Sequence, residues 1–341
     1  MANGTELLRV SNLKTYIHTP NGTIKAVDDV TLEINKGTTL GLIGESGCGK
    51  TTVAMSIINL IPHLYKVEGV FVQHVVSKGE IIDGEVWFKG TNLLKLSQEE
   101  IRRFRGKEIA MIFQNPIPAM NPLEVIGFQL GETVTAHEQM EAAKRRELVF
   151  DLLGKVELKD AKKRYSHNPH SFSGGEGQRI MIAMALITGP SLLIADEPTK
   201  SLDVIVQRQV LNLLREMKKK FNLAMLLITH DLAIIAEMSD FVAIMYTGKI
   251  VEYGDVVSIY KNPRHPYTQG LLGSIPRLSG TKELKGLLGQ PPNPLVTVTG
   301  CKFHPRCPYA VEECRKIEPP LAEVTPGHQT ACLRVNEIPP W

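Results

Sequence analysis

Long apolar runs are missing from this chain. The most hydrophobic stretch, Ile180 to Ala195, is broken by Gly189-Pro190-Ser191. Neither half approaches the roughly 20 apolar residues that a membrane-spanning helix needs. The opening Met1-Ala2-Asn3-Gly4-Thr5-Glu6 has no basic segment followed by an apolar one, so no signal peptide is expected. A charge excess is missing too: 39 basic and 36 acidic side chains nearly cancel, which argues against a polyanionic partner such as nucleic acid. The basic triplets Lys162-Lys163-Arg164 and Lys218-Lys219-Lys220 read as solvated helix faces. Internal repeats are absent. These absences predict a cytoplasmic chain whose membrane association, if any, comes through partners.

What is present suffices for a large folded domain with an appendage: 341 residues, 43% of them hydrophobic. Short β-like runs, Leu7 to Ser11 and Val30 to Ile34, flank a turn signal at Pro20-Asn21-Gly22. Thr39 to Ile43 reads as a buried strand. Gly69 to Gly90 is less regular, a surface insertion or hairpin containing strand-like Gly84 to Phe88. From Asn121 to Ile187 the pattern turns helical, most clearly over Glu141 to Leu153. Three apolar strand candidates follow, Leu192 to Ala195, Ala224 to Thr229 and Val242 to Tyr246, with amphipathic helices such as Val204 to Lys218 between them. Strands alternating with helices predict a largely parallel α/β sheet. Beyond Asn262 proline and glycine become frequent and periodicity fades, which sets a boundary between residues 1–261 and a loop-rich tail, 262–341.

Gly44-Glu45-Ser46-Gly47-Cys48-Gly49-Lys50-Thr51-Thr52 follows the apolar strand and opens a helix, the context that a phosphate-binding G-x-x-x-x-G-K-[ST] loop requires. Gly44, Ser46, Gly47, Cys48, Gly49 and Thr52 supply main-chain groups around phosphate. Cys48 fills a variable position of the motif. Lys50 is expected on the β/γ-phosphate oxygens of ATP and Thr51 on Mg²⁺. Leu192 to Ala195 ends in two carboxylates: Asp196 is placed to bind Mg²⁺ through water, and Glu197 to polarise the attacking water.

Those two motifs belong to many P-loop enzymes. Phe172-Ser173-Gly174-Gly175-Glu176-Gly177-Gln178-Arg179 narrows the choice, because it resembles the LSGGQ-like signature of ABC ATPases, with Phe172 in place of the usual Leu. A serine hydroxyl and glycine N–H groups at a helix start form a second anion cradle. In that family Ser173, Gly174 and Gly175 would close on the nucleotide of an opposing subunit. The resemblance implies a RecA-like P-loop core with an N-terminal antiparallel β subdomain and a helical subdomain over about 118–185. It also implies further roles. Gln114, in Met111-Ile112-Phe113-Gln114-Asn115-Pro116, looks like the glutamine that contacts Mg²⁺ and the attacking water. Asp203, in Ser201-Leu202-Asp203, looks like the D-loop aspartate, and Lys200 stands where a small residue is commoner. His230 looks like the switch histidine. Tyr16 resembles the aromatic that stacks on adenine, with a sheet-surface tyrosine as the alternative.

Asn262-Pro263-Arg264-His265-Pro266-Tyr267-Thr268, then Leu271-Leu272 and Ser274-Ile275-Pro276, resembles the C-terminal region of oligopeptide/dipeptide-type ABC importers, as does Gln114 to Pro122. The resemblance spans nearly the whole chain, with Gly69–Gly84 its least typical part. It implies an ATP-hydrolysing subunit at the cytoplasmic face of the membrane. The implied partners are two transmembrane permease subunits, a second ATPase subunit (a related but different chain, giving a heterodimer) and an extracytoplasmic solute-binding protein. Short peptides are the expected cargo, and oligosaccharides or nickel are the alternatives within the same architecture. A soluble ABC ATPase of translation or DNA repair is the competing class, and such proteins usually carry two cassettes or a long coiled coil. A metal-dependent regulatory module is a third reading.

One cysteine of the five lies in the first 300 residues. The others, Cys301, Cys307, Cys314 and Cys332, are separated by 5, 6 and 17 residues. Four thiolates on a loop-rich segment can hold Zn²⁺ or an iron–sulfur cluster. The spacing lacks the short C-x₂-C pairs common in zinc modules. Some peptide-importer ATPases with this tail pattern carry a [4Fe–4S] cluster, so a structural cluster is the favoured reading. Zn²⁺ and reduced thiols packed as small hydrophobes are the alternatives.

Overall fold

The two strand-like runs flanking Pro20-Asn21-Gly22 become Glu6–Thr19 and Gly22–Asn35 in the computed structural model, which describes residues 6–61, 78–275, 286–339 and 341. Both are longer than their apolar cores, because a half-buried strand needs apolar residues on one face only. They form a four-stranded sheet with Lys78–Phe88 and Thr91–Asn92. Lys78–Phe88 runs antiparallel to Glu6–Thr19 and contains the run expected at Gly84 to Phe88. Of the irregular insertion, residues 69–77 lie outside the described residues, as does Pro276.

The chain divides into two compact units. The first comprises Met1–Ile34, Leu40–Leu94 and Thr229–Trp341. Besides the antiparallel sheet it holds a second strand set, in the order Ala322–Thr325, His328–Thr330, Lys249–Asp255, Phe241–Tyr246, Thr39–Ile43. Thr39–Ile43 is buried throughout and pairs in parallel with Phe241–Tyr246, Ile43 opposite Ile244. Lys249–Asp255 returns antiparallel to Phe241–Tyr246, and the tail adds His328–Thr330 antiparallel to it. The tail is therefore not only loops. Glu323, Thr325, Gln329 and Thr330 alternate too weakly in hydropathy to announce strands, and it is main-chain pairing that makes them so.

The second unit comprises Asn35–Thr39 and Lys95–Ile228. Ile109–Ile112, Leu192–Asp196 and Ala224–Ile228 lie side by side in parallel, with Ala195 opposite Ile112 and Leu227. The latter two are buried at every position, the pattern of a parallel sheet covered on both faces. The helices Ile126–Thr135, Ala142–Lys155 and Gly174–Leu186 fall inside the stretch read as helical. Val204–Phe221 buries Val210, Leu211, Leu213, Leu214 and Met217 on one side. Its last turn carries Lys218-Lys219-Lys220, where positive charge complements the helix dipole. Among the described residues no helix is long and apolar enough to cross a membrane.

Candidate nucleotide-binding site

The phosphate loop is shaped by close packing of main chain. It leaves the buried end of Thr39–Ile43 at Gly44 and enters the helix Lys50–Ile57 through Gly49, which has φ +110°. A Cβ on Gly49 would sit 2.0 Å from the Ala26 carbonyl oxygen, and one on Gly44 would sit 2.1 Å from that of Met245. Only glycine fits at either position. Gly47 and Thr51 are exposed, while Lys50 is only 7% exposed and donates from Nζ to the carbonyls of Gly44 (2.7 Å) and Glu45 (3.0 Å). Cys48 is buried, which pushes its thiol up, and its Sγ lies 3.8 Å from Lys50 Nζ.

Two further residues of the first unit stand near this loop or on its sheets. The Thr229 N–H donates to the Leu42 carbonyl, so the exposed His230 follows at the strand edge from which the loop departs. Tyr16 lies half-buried on Glu6–Thr19, with the Lys25 ammonium 5.6 Å from its ring centroid. Its hydroxyl donates to Asp28 Oδ1 at 3.2 Å.

In the second unit, the carboxylates end a strand as the sequence predicts. Asp196 is buried, and Glu197 is half-buried with φ +48°, a left-handed conformation that is costly for a side chain of this size. The Glu197 N–H donates to the Ile228 carbonyl at 2.8 Å, which holds that turn. Because Ile112 pairs with Ala195, Gln114 leaves its strand at the same edge as Asp196 and Glu197. Asp203 caps Val204–Phe221, its carboxylate accepting from the N–H groups of Ile205 and Val206.

Ser173 caps Gly174–Leu186 by a reciprocal arrangement. Its Oγ accepts from the Glu176 N–H at 3.3 Å, and Glu176 Oε2 accepts from the Ser173 N–H at 3.0 Å. Arg164 adds a 2.7 Å bond to Glu176 Oε1. Burial raises the Glu176 pKa, but the Ser173 hydrogen bonds and Arg164 outweigh it and bring the carboxyl below its ordinary range. The Ser173-x-x-Glu176 spacing is a capping-box signal that could have been read from sequence. It fixes the start of the helix whose first turn carries Gly174 and Gly175.

The four tail cysteines meet. Cys301, Cys307, Cys314 and Cys332 line one cavity of about 20 Å³ with His265 and Phe303, little more room than one water needs. Burial pushes the thiols of Cys301, Cys307 and Cys332 up to about 11, and each also feels the charge of two others of the set. Even so, among the described residues no three His, Cys, Asp or Glu side chains form a group able to hold a metal ion. A preformed zinc site is therefore not found among them.

No motif announces what lies between this cavity and the phosphate loop. Arg306, next to Cys307, donates to both carboxylate oxygens of Glu45. Lys302, next to Cys301, donates to Asp28 Oδ2 at 2.7 Å. Neither basic residue belongs to a recognisable pattern, and the partners lie 261 and 274 positions away.

Comparison with known proteins places these features in a family. The ABC transporter profile matches residues 27–200, and the profile of the oligopeptide/dipeptide transporter C-terminal region matches residues 251–314. The oligopeptide transport ATP-binding protein OppD of Escherichia coli (strain K12) is 42% identical over 332 residues, covering 97% of this chain and 94% of that one. The dipeptide transport ATP-binding protein DppD of Bacillus subtilis (strain 168) is 41% identical over 328 residues, covering 96% and 94%. Among solved structures, the dimeric ATP-binding cassette MJ0796 bound to ADP and Pi aligns with a TM-score of 0.63 at 22% identity, over 73% of this chain and 99% of that one. That last likeness shows the fold, an α/β P-loop ATPase cassette. None of these names mentions iron or zinc. A complete phosphate loop, an acidic strand end and a capped signature helix, joined to this C-terminal region, place the chain among the ATP-hydrolysing subunits of ABC transporters, in the branch that carries the oligopeptide/dipeptide transporter C-terminal region.

Proposed function

We propose that this subunit powers the uptake of short peptides, working at the cytoplasmic face of the membrane with two permease subunits, a second ATPase subunit and an extracytoplasmic binding protein. The observation that carries the peptide reading is the C-terminal region at residues 251–314, together with relatives named for oligopeptide and dipeptide transport. The same names weigh against a soluble ATPase of translation or DNA repair. The domain boundary at about residue 262 belongs to this proposal.

In this reading Tyr16 stacks on adenine, and the loop from Gly44 to Thr52 wraps the phosphates with its N–H groups, Lys50 supplying positive charge. Thr51, Gln114 and Asp196 would hold Mg²⁺ with hard oxygen donors of the kind that ion takes, Asp196 through water, and the ion would neutralise phosphate charge. Glu197 polarises the attacking water, Gln114 and His230 orient it and the terminal phosphate, and Ser173, Gly174 and Gly175 offer the second cradle to the nucleotide of the partner ATPase. Asp203 carries the signal across that pair. Most of the rate enhancement comes from positioning and charge neutralisation. Nucleotide binding closes the ATPase pair, and hydrolysis with phosphate release reopens it.

The convergence of Cys301, Cys307, Cys314 and Cys332 on one cavity brings together four thiol donors, the ligand set that a [4Fe–4S] cluster takes, although the cavity of about 20 Å³ would have to widen to admit one. Such a cluster would act as a structural staple. Anaerobic purification followed by iron, sulfide and zinc assays tests it: iron and sulfide in equal amounts are expected, and absence of all three elements leaves packed thiols.

The cargo is tested by ATPase activity of the assembled transporter in lipid, with its binding protein loaded in turn with short peptides and short oligosaccharides. Stimulation by peptides is expected. Stimulation by sugars alone would keep the ATPase assignment and overturn the cargo.

A further inference from the structure

The phosphate loop carries a carboxylate at its second position, on a segment that must receive a polyanion. Glu45 is 26% exposed at its side chain, whereas the Arg306 side chain that grips it is only 4% exposed. The grip is a two-pronged guanidinium–carboxylate pair, Nη1 to Oε2 at 2.6 Å and Nη2 to Oε1 at 3.0 Å, the geometry in which arginine binds carboxylate most strongly. Arg306 is itself fixed, donating from Nε to the Leu288 carbonyl at 3.0 Å and from Nη2 to that of Gly289 at 3.2 Å. The loop is held a second time, as the Glu45 N–H donates to the Tyr267 hydroxyl at 3.0 Å. Tyr267, Tyr246 and Phe303 form one buried aromatic cluster, with ring centroids 4.7 to 5.4 Å apart. Phe303 also lines the cysteine cavity. A continuous packed path thus runs from the cysteines to the second residue of the phosphate loop, all of it within the first unit.

From this we infer that Arg306 is a positioning residue for ATP: through Glu45 it fixes the entrance of the phosphate loop and cancels the one acidic side chain there, so that the cysteine-bearing tail sets nucleotide affinity. The inference rests on the phosphate loop binding ATP. Arg306 touches no phosphate in this scheme. It acts by holding Glu45, and freeing that carboxylate beside a bound triphosphate raises the cost of binding without touching the groups that perform hydrolysis.

The test is ATP turnover by the assembled transporter, read as KM and kcat separately, with nucleotide-free thermal unfolding as the check on folding. Arg306→Met is expected to raise KM for ATP about tenfold while kcat stays within about twofold. In the Glu45→Gln background the same substitution is expected to change KM by less than about twofold, because no charge is left to cancel. Arg306→Lys, which keeps the charge but not the fork, is expected to fall between. If Arg306→Met does not accumulate as folded protein, Arg306→Lys decides on the same readout in both backgrounds. An unchanged KM, a loss confined to kcat, or the same KM increase whether or not Glu45 has been replaced would each overturn the inference. Failure of the unsubstituted transporter to bind ATP would instead strike the ATPase reading itself.

Discussion

Around the phosphate loop, main-chain groups do most of the holding: Gly44 and Gly49 lie against backbone carbonyls, and Lys50 turns to the carbonyls of Gly44 and Glu45. In the tail that task passes to long side chains, with Arg306 and Lys302 each reaching a carboxylate distant in sequence. The first manner of construction demands particular residues at fixed offsets, because a Cβ in the wrong place cannot be accommodated. The second demands only that a charge of the right sign arrives from somewhere. A catalytic loop can therefore be written as a motif, whereas the structure that braces it cannot.

The sharpest way to break this contrast is at the chemistry. Replacing Glu197 with Gln removes the carboxylate proposed to polarise the attacking water but leaves shape and main chain intact. Turnover is expected to fall by at least about 100-fold with ATP binding preserved. Comparable hydrolysis by the variant would move the catalytic role elsewhere and make the acidic strand end no more than a capping feature.

Gly49 comes next, because it tests whether the loop is as intolerant as its packing implies. In Gly49→Ala the new methyl meets the Ala26 carbonyl at 2.0 Å on a backbone at φ +110°. The expected cost is about 2 kcal/mol or more in stability, with ATP binding lost. Full stability by thermal unfolding and unchanged ATP affinity would show that main-chain crowding does not define this loop.

Legibility followed the same division. Thr39–Ile43 and the loop after it could be read residue by residue, since a buried parallel strand shows as an apolar run and a phosphate loop as spaced glycines. The carboxylates ending Leu192–Asp196 were equally plain. Arg306 and Asp28 were not: an arginine beside a cysteine and an aspartate in a half-polar strand carry no local pattern, and only tertiary structure pairs them with their partners. The tail strands were missed because Glu323 and Gln329 have little intrinsic preference for strands and are recruited by pairing alone. The left-handed backbone at Glu197 also had no sequence cue, since that conformation ordinarily advertises itself by glycine or asparagine.

The signature helix lies between the two manners of construction, as a local motif held by side chains. Ser173→Ala removes the hydroxyl that accepts from the Glu176 N–H, and a lost cap of this kind costs about 1 kcal/mol. Glu176→Gln keeps a side-chain oxygen for the Ser173 N–H and gives up only the charge that Arg164 meets. Thermal unfolding of the pair is expected to rank Ser173→Ala well below Glu176→Gln. The reverse order would mean that the Arg164 ion pair, not the cap, holds this helix start.

The smallest expected effect lies at Asp28, where the tail meets Gly22–Asn35, the sheet neighbour of the strand that carries Tyr16. Burial by itself would raise the Asp28 pKa, but the Lys302 hydrogen bond and charge, then Lys249 and Lys25, overcome it and hold the carboxyl below its ordinary 3.8. A carboxyl depressed in the folded state is protonated first in the unfolded chain as acid is added. Its stabilising contribution is therefore complete above the ordinary carboxylate range and disappears as the pH falls through the lowered folded value. Asp28→Asn deletes that contribution, so the variant is expected to melt a few degrees below the unsubstituted chain at neutral pH. The gap is expected to close as the pH is taken below about 4. A gap that stays constant with pH would mean that asparagine merely packs less well there and that the Lys302 charge contributes nothing. A gap that closes would show that side-chain charge, not main-chain fit, ties the tail to the antiparallel sheet.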